Sequence, residues 1–497
     1  MKTNVKITLG CCLLAAALVS VGCGSAEQPG TAGTDNAEIG NIATEEVATE
    51  DPGIRDNVPA LDFGGYLFRT VEQEGKTFPF YQESESGDVI SDAIYARNKY
   101  AEERFNIKFA ETQSLNYVDI STKVTNAVMS GSDEYDLVFG QMFHSASIAT
   151  NGVFLDWNTL PYVELSNPWY TKSIQDSSIG SRLLMVESDL SLSYTEQTWF
   201  MLYNKSKYAS FYPDGDNLYD VVNDGKFTID YLNALVKDCY QDVNGDGTRD
   251  AGDFYGIGSY QDGCQVAAFY FGCGCQPAVL KDDMTIEHTI ESEKSIDVLT
   301  RLGNLFNQTT GSISRADKLI NGFFDGRALF VNGQLLFCPQ QIGGLLSGEI
   351  RGFSGDFGVL PLPKYEEAQS EYFTGVDGGA DIMTIPCTVS DEQKEIIGAV
   401  TEGMSCYCYN TFIPTYCGEG LSFKGARDEE SIRMIRKILD SRVINFSYLY
   451  DGFSGWVMKM PDYLLHPEKC ASSIEKNKKS IDKYFNKIIA AFTEENE

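Results

Sequence analysis

The chain has 497 residues, 43% of them hydrophobic, which is enough to bury the cores of at least two lobes. It carries 71 Asp and Glu residues against 39 Lys and Arg residues, a formal net charge of −32. A surface this acidic repels nucleic acids and anionic lipid headgroups, so a nucleic-acid partner is excluded. Only 22% of the residues are charged, so disorder does not explain the acidity of the body.

The N-terminal segment predicts export. Lys2 and Lys6 precede an apolar run over residues 7–22, which is too short to span a membrane comfortably. The run ends at Ser20-Val21-Gly22-Cys23, which resembles the lipobox of bacterial lipoproteins, although Ser20 stands where Leu is commonest. We therefore expect residues 1–22 to be a signal peptide and Cys23 to be acylated, with palmitate or a similar chain. The alternative is an ordinary secretory signal in which Cys23 has no role.

Residues 23–57 predict a disordered tether, because they are rich in small and polar residues and poor in large apolar ones. About 34 flexible residues reach roughly 30–35 Å, enough to hold a globular body clear of a membrane. The ten cysteines after Cys23 are scattered rather than closely spaced, so we expect most of them to be free thiols in the core.

The first part of the body alternates strands and helices. The hydrophobic periodicity predicts strands over 66–71, 106–110 and 136–139, and helices over 88–105 and 118–129, the first capped by Asp88. This βαβαβ succession predicts a mainly parallel sheet, in which ligands bind beyond the carboxyl ends of the strands. The loops after Val71 and Phe139 then supply candidate ligand contacts: Gln82, Glu83, Gln141 and His144.

The rest of the chain also mixes both types of element. We predict helices over 228–240, 292–306, 318–324, 391–404 and 474–492, the last one amphipathic. Strands are predicted over 328–337 and 357–360, with a further strand passage over 374–386.

Residues 242–253 match a calcium loop of the EF-hand type. Calcium binds six to eight hard oxygen atoms, and this spacing wraps such atoms around one point. The predicted ligands are Asp242, Asn244, Asp246, Thr248 through its carbonyl, Asp250 and Asp253. A final Asp instead of Glu resembles dockerin modules, but a dockerin has two such repeats and this chain has one. We predict a structural calcium clamp; the alternative is an acidic turn without an ion.

Several phrases of the sequence resemble the extracellular solute-binding proteins of ABC sugar transporters. This is the family 1 type, which includes maltose-binding protein, in the long form common in clostridial lipoproteins. The resemblance extends over most of residues 60–495, and the order of the phrases is more specific than any one of them. The phrases are Asp92-Ala93-Ile94-Tyr95-Ala96-Arg97-Asn98, Asn167-Pro168-Trp169-Tyr170, Tyr203-Asn204-Lys205, Asn223-Asp224-Gly225-Lys226-Phe227-Thr228, Phe324-Asp325-Gly326-Arg327-Ala328 and Phe357-Gly358-Val359-Leu360-Pro361-Leu362-Pro363-Lys364.

The resemblance implies an α/β periplasmic-binding-protein-like fold of type II, with mixed sheets flanked by helices and a hinge between two lobes. Lobe 1 would hold residues 58–197 and about 373–412, and lobe 2 residues 198–372 and about 413–497. Chain crossings are expected over 197–203, with returns over 332–337 and 377–384. The implied function is capture of a carbohydrate by lobe closure, and we expect this carbohydrate to be an oligosaccharide. A lipid-anchored monomer on the outer face of the membrane would deliver it to ABC permease subunits, without enzymatic activity.

Sugars stack their C–H faces on aromatic rings and bond their hydroxyl groups to polar side chains. Trp456 stands where relatives carry a stacking aromatic residue. Trp199 lies on the crossing segment and is a second candidate, with a core position as the alternative. Tyr260 and Asp377 complete the predicted ligand contacts with Gln141, His144 and Glu83.

Two other functions are compatible with an exported, acidic, aromatic-rich chain. A glycoside hydrolase needs two facing carboxyl groups, but among 71 acidic residues some pair always looks suitable. A glycan-binding sensor or adhesin would share the binding site without a permease. The three histidines, His144, His288 and His466, have no metal-ligand spacing.

Overall fold

The computed structural model describes residues 53–171, 177–318, 323–421 and 427–493. The predicted signal peptide, Cys23 and the tether up to residue 52 lie outside these ranges. Gly53–Glu497 form one compact unit. None of the described helices combines the length and the apolar character needed to cross a bilayer.

The strands of the described residues are short and fall into five sheets. They are β1 (Tyr66–Phe68), β2 (Thr70–Gln73), β3 (Ile107–Phe109), β4 (Gln113–Leu115), β5 (Leu137–Gln141), β6 (Trp199–Asn204), β7 (Tyr240–Gln241), β8 (Phe254–Ser259), β9 (Val279–Leu280), β10 (Ile286–Glu287), β11 (Ser312–Ser314), β12 (Leu335–Gln341), β13 (Phe357–Leu360), β14 (Thr374–Gly375), β15 (Asp381–Thr384) and β16 (Arg442–Val443).

Helices flank these sheets. The α-helices are Val89–Phe105, Tyr117–Met129, Met142–Ala149, Leu192–Glu196, Lys205–Phe211, Leu218–Asn223, Ile229–Val236, Gly263–Gly272, Glu293–Asn307, Phe323–Val331, Gly348–Gly352, Asp391–Tyr407, Ile413–Thr415, Glu429–Asp440, Phe446–Leu449, Met460–Leu465 and the terminal helix, Cys470–Thr493. Cys408–Phe412 and Tyr416–Leu421 are π-helical turns.

Sheet 1 has the strand order β15-β5-β2-β4, with β2 parallel to β4 and β5 and with β15 antiparallel to β5. The parallel arrangement predicted for residues 66–139 is confirmed. The predicted strand over 66–71 divides at Arg69, so that β1 pairs with β3 and β2 enters sheet 1. Asp136 fixes this break, since its carboxylate accepts hydrogen bonds from the Arg69 backbone N–H at 2.7 Å and from the Arg69 guanidinium at 2.6 Å.

Sheet 2 has the order β11-β8-β12-β6-β13, with β7 added to β8. β8, β11 and β12 are mutually parallel, whereas β6 lies antiparallel between β12 and β13. Each strand of sheets 1 and 2 falls within the residue range predicted for one lobe, while the lobe boundaries themselves stay a prediction.

Three segments meet where the chain passes from sheet 1 to sheet 2. Thr198 forms a β-bridge with Val376, the Asp377 N–H donates to the Gln197 carbonyl at 3.0 Å, and the Ile342 N–H donates to the Thr198 carbonyl at 2.9 Å. We call this junction the hinge. The predicted crossing at 197–203 and the predicted passage from Asp377 lie here. The return predicted over 332–337 instead comes at Gln341–Ile342, because β12 continues in register with β6 up to the pair Gln341–Trp199.

Local sequence signals explain the helix ends. The Asp88 side chain accepts hydrogen bonds from the N–H groups of Ile90 and Ser91, as predicted, and Asn106 ends that helix in a left-handed conformation. The helix Asp391–Tyr407 begins with a capping box between Ser390 and Gln393. Ten described cysteines are free thiols and eight of them are buried, which agrees with the core positions predicted for most of them.

Candidate functional site

Two carboxyl groups lie beside the hinge. The Asp377 Oδ1 atom accepts a hydrogen bond from the Gly379 N–H at 2.7 Å, and the Asp262 side chain caps the helix Gly263–Gly272. Burial, and after it the charge of Asp262, raises the pKa of Asp377 to about 7. Burial also raises the pKa of Asp262, and Arg315 acts in the opposite direction. Burial therefore disfavours the ionised form of both carboxyl groups, and nearby hydrogen-bond donors offset part of this effect.

Two glutamines complete what we call the polar base, formed by Gln141, Asp262, Gln341 and Asp377. The Gln341 side chain acts as a donor toward the Asp377 carboxyl group and so opposes the rise in its pKa. Gln141 ends β5, and its Oε1 atom is buried without a hydrogen-bond partner among the described residues. A buried, unpaired acceptor is costly, so this atom is suited to accept a hydrogen bond from a bound hydroxyl group or water.

A row of rings, which we call the aromatic wall, rises from the polar base. The Tyr117 and His144 ring centroids are 4.6 Å apart, and the His144 and Phe453 centroids are 4.9 Å apart. Tyr117 and Phe453 are 40% and 43% exposed, which leaves part of each ring free for contact. Burial lowers the pKa of His144, so the wall is uncharged at neutral pH.

Phe143 joins the wall to the base. Its ring packs edge-on against Phe453, with centroids 5.5 Å apart, and also against the backbone of Gly378. A Cβ atom on residue 378 would lie 2.4 Å from the Phe143 ring, so only glycine fits at this point. The hinge backbone is thereby held directly against the aromatic wall.

Tyr260 and Arg315 flank the base on the side of sheet 2. Tyr260 follows β8, and the Arg315 guanidinium lies 5.6 Å from its ring centroid. Arg315 also acts on the Asp262 carboxyl group. The site thus combines aromatic faces, amide groups and carboxyl groups, the set that binds polyhydroxylated ligands.

The structure brings four predicted contacts together at this site: Gln141, His144, Tyr260 and Asp377. Their ligand contacts stay predictions. Glu83 lies exposed on the loop before the helix Val89–Phe105, and none of the bonds or ring contacts of the described residues joins it to the site. Trp199 is fully buried at the start of β6, which agrees with the alternative of a core position for this residue.

Trp456 needs a correction, because it does not face an open surface. Its side chain is fully buried, and its indole N–H donates to His288 Nδ1 at 3.0 Å. The His288 ring also packs on it edge-to-face at 5.5 Å. The exposed aromatic of the same loop is Phe453, three residues earlier, held in a left-handed conformation with φ of 64°.

Sequence patterns did not single out four residues of this site: Phe453, Tyr117, Asp262 and Gln341. Phe453 stands in the phrase Gly452-Phe453-Ser454-Gly455-Trp456, where the larger Trp was preferred, although flanking glycines indicate a turn whose middle residue is exposed. Asp262 follows Tyr260 by two residues and could have been found as a polar residue at a strand end. Tyr117 and Gln341 carry no comparable signal.

The predicted calcium loop lies away from the hinge and forms a series of tight turns. The Asp242 carboxylate accepts hydrogen bonds from the Gly245 and Gly247 N–H groups at 2.7 and 2.9 Å. The Asp253 side chain is buried and accepts from the Tyr240 hydroxyl at 2.9 Å. Within the described residues no three His, Cys, Asp or Glu side chains are gathered as a metal site. The oxygen-rich donor set has the chemistry that Ca²⁺ prefers, and its binding stays a prediction.

No protein-family model matches the sequence, and no curated protein is detectably similar to it. Solved structures do match. The cyclic alpha-maltosyl-1,6-maltose binding protein from Arthrobacter globiformis aligns with a TM-score of 0.57 and 12% identity, over 85% of this chain and 99% of that one. The ABC substrate-binding protein from Listeria monocytogenes in complex with cycloalternan aligns with a TM-score of 0.52 and 15% identity, over 85% of this chain and 99% of that one.

A third match widens the range of bound ligands. UgpB from Mycobacterium tuberculosis, solved in complex with glycerophosphocholine, aligns with a TM-score of 0.53 and 15% identity, over 86% of this chain and 99% of that one. At these identities the likeness concerns the fold. The predicted fold class is therefore confirmed: this chain has the two-lobed α/β fold of the solute-binding proteins of ABC transporters.

Proposed function

We propose that this protein captures a carbohydrate, an oligosaccharide, at the hinge between its lobes and delivers it to an ABC permease. The observation that carries the proposal is the contact of the aromatic wall with the polar base through Phe143 and Gly378. Aromatic faces and hydrogen-bonding side chains at one place suit the two faces of a sugar. Ligand contacts made only when both lobes meet would drive closure.

Two of the structural neighbours bind cyclic oligosaccharides, and the third was solved in complex with glycerophosphocholine. The wall and base agree better with the oligosaccharides, because three rings line the site and the buried Gln141 Oε1 atom, which has no partner among the described residues, can accept a hydrogen bond from a hydroxyl group. A hydrolase is less well supported. Asp262 and Asp377 each accept backbone N–H hydrogen bonds that fix a helix end and a turn, which is a structural task.

A thermal-shift screen against mono- and oligosaccharides, with glycerophosphocholine included as a competing candidate, tests this function. A ligand that binds only the folded chain raises the melting temperature, by mass action, as its concentration increases. We expect an oligosaccharide to do so and to remain intact during the incubation. Release of shorter sugars would instead establish a hydrolase, and glycerophosphocholine as the sole stabilising compound would reject the carbohydrate proposal.

Phe453→Ala should weaken the binding of the sugar found in that screen by at least about tenfold, because the exposed ring supplies stacking surface. Melting temperature without ligand should change little. Titration calorimetry measures the affinity, Phe453→Tyr keeps the ring and should bind normally, and Leu465→Ala removes a similarly exposed apolar side chain elsewhere. Equal affinity of Phe453→Ala and the wild type would remove the aromatic wall from the site.

We also propose that residues 242–253 bind Ca²⁺ through Asp242, Asn244, Asp246, the Thr248 carbonyl, Asp250 and Asp253. Chelator should then lower the melting temperature, and added Ca²⁺ should restore it, since an ion that binds the folded chain stabilises it. Asp246→Ala should abolish this response, whereas Asp283→Ala, in an exposed turn elsewhere, should keep it. A melting temperature unaffected by chelator would exclude the clamp.

For localisation, we propose that the monomeric chain is anchored at the outer face of the membrane by an acylated Cys23. Cys23→Ser should release the protein from the membrane fraction into the medium, as measured by immunoblotting of both fractions. Cys387→Ser changes an exposed thiol within the described body and should leave the distribution unchanged. Retention of the Cys23→Ser chain in the membrane fraction would contradict the lipid anchor.

A further inference from the structure

The terminal helix carries a row of lysines that neither the fold nor the hinge site requires. Lys476, Lys479, Lys483 and Lys487 are all exposed. Their spacings of three, four and four residues place them in one row along the helix, about 16 Å long. We call this row the lysine stripe.

The stripe points directly away from the protein interior. At about 100° per residue, the four lysines fall within an arc of about 80°, opposite the buried side of the helix. The buried side chains of the helix are Cys470, Ile474, Ile481, Phe485, Ile488, Ile489 and Phe492. The stripe is therefore the part of the terminal helix that points most directly into solvent.

The stripe is basic in a chain where acidic residues outnumber basic ones by 71 to 39. None of its four lysines forms an ion pair with any residue that the structure describes, whereas the neighbouring Lys478 is paired with Glu291 at 2.5 Å. Of the acidic residues on the helix, Asp482 contacts His288 at 3.2 Å and Glu475 lies on the flank. Over residues 470–493 five lysines stand against two acidic residues, so the positive charge of the stripe is only partly compensated.

The net charge of the chain does not decide how this face interacts. Screening limits electrostatic effects to about 8–10 Å at physiological salt, so a flat surface opposite the stripe senses mainly its lysines. Beside the lysines lie Ser472, Ser480 and Asn486, all exposed and small enough to leave the row accessible. A straight row of ammonium groups without exposed large apolar residues fits a flat anionic surface without insertion into it.

We propose that the lysine stripe docks the body onto the headgroups of an anionic phospholipid bilayer. Lysine ammonium groups are compact charges that suit phosphate groups without a fixed geometry, unlike the paired contacts of arginine. Elsewhere the acidic surface is repelled by the same bilayer, so the stripe gives the body one orientation on the membrane. This docking does not depend on the proposed sugar site or on acylation of Cys23.

Vesicle sedimentation of the compact unit Gly53–Glu497 tests the proposal. Vesicles of phosphatidylcholine with phosphatidylglycerol should bind the protein at low salt, and vesicles of phosphatidylcholine alone should not. Binding should be lost near 1 M salt, where screening acts within about 3 Å. Each lysine beside an anionic surface contributes about fivefold to partitioning, so Lys→Gln at all four stripe positions should reduce it at least about tenfold.

The matched control replaces four exposed lysines elsewhere, Lys108, Lys123, Lys237 and Lys318, by Gln. It changes the net charge equally and should bind vesicles at least half as well as the wild type. Equal loss in both variants, equal binding to uncharged vesicles, or no binding at all would each overturn the proposal. The last result would be expected if the stripe instead served an acidic protein surface.

Discussion

Replacing Trp456 by alanine should lower the free energy of unfolding by about 3–5 kcal/mol. The side chain is fully buried, so its loss leaves a large cavity that the surroundings fill only in part. The change also removes the donor to His288 Nδ1 and leaves that buried acceptor without its partner. Urea unfolding followed by circular dichroism measures the effect.

Trp456→Phe separates packing from hydrogen bonding, because it keeps a ring and removes only the N–H donor and part of the volume. It should cost less than the alanine variant, about 1–3 kcal/mol. Phe453→Ala, three residues away, should change unfolding least of the three. A stable Trp456→Ala chain that no longer binds sugar would show that Trp456 faces the ligand, as the sequence predicted.

The elements with strong local signals were predictable from sequence. The helix Val89–Phe105 has a capping residue at its start and a left-handed Asn106 at its end, and both lie within a few residues of the helix itself. The parallel order of β2, β4 and β5 follows from the alternation of strands with helices. Such features depend on neighbours in sequence, which the sequence contains in full.

Short apolar runs were less predictable. Residues 328–331 were predicted as the start of a strand but end the helix Phe323–Val331, and the strand begins only at Leu335. The helix predicted over 318–324 agrees with the structure at residues 323–324, and residues 319–322 lie outside the described ranges. A buried helix and a buried strand are equally apolar over four residues, so periodicity does not distinguish them. Gly333, with φ of 73°, marks the real end of the helix.

The candidate site was only half predictable, because burial depends on partners far away in sequence. Gln141 and His144 were found, since strand ends in such sheets carry binding residues. Trp456 was misplaced because its partner His288 lies 168 residues earlier. No local pattern reveals that contact, and the size of the indole ring favours both a core and a ligand role.

A group of buried or half-buried carboxyl side chains lies on the sheet 1 side of the hinge, with few cations nearby. Its members are Glu72, Glu187, Glu196 and Asp381. Lys76 pairs with Asp381 Oδ2 at 2.7 Å and also donates to the Ser193 hydroxyl at 2.9 Å. Both carboxyl oxygens of Glu187 are buried without hydrogen-bond partners among the described residues. Ionising all four groups together would therefore be costly.

Burial is the main cause of raised pKa values in this group. It raises the pKa of Glu72 and of Glu196 to about 7, in both cases with a further contribution from the charge of Asp381. Burial, followed by Asp381, also raises the pKa of Glu187 well above its ordinary value, and Arg442 and Lys76 oppose this effect. The folded chain thus holds protons near neutral pH that the unfolded chain has released.

The sign of the pH dependence follows from these protons. Between about pH 4.5, where an unfolded glutamate ionises, and about pH 7, the native state binds more protons than the unfolded state. The free energy of unfolding must then fall as the pH rises through this range. The stabilising contribution is complete below about pH 4.5 and is lost as the pH passes the folded pKa values.

Glu187→Gln isolates one member of the group. Gln carries no charge at any pH, so the difference in unfolding free energy, variant minus wild type, should increase as the pH rises above about 4.5, where an unfolded glutamate ionises, by at most about 1.4 kcal/mol per pH unit. The buried, unpaired amide of the variant lowers the unfolding free energy by the same amount at every pH. Only the change of the difference with pH therefore reports on the ionisation of Glu187. Urea unfolding at a series of pH values above about 4.5 measures this slope.

The control variant Glu83→Gln makes the same change at an exposed position and should give a difference that does not vary with pH. A flat difference for Glu187→Gln as well would mean that Glu187 is already ionised in the folded chain, held by Lys76 and Arg442.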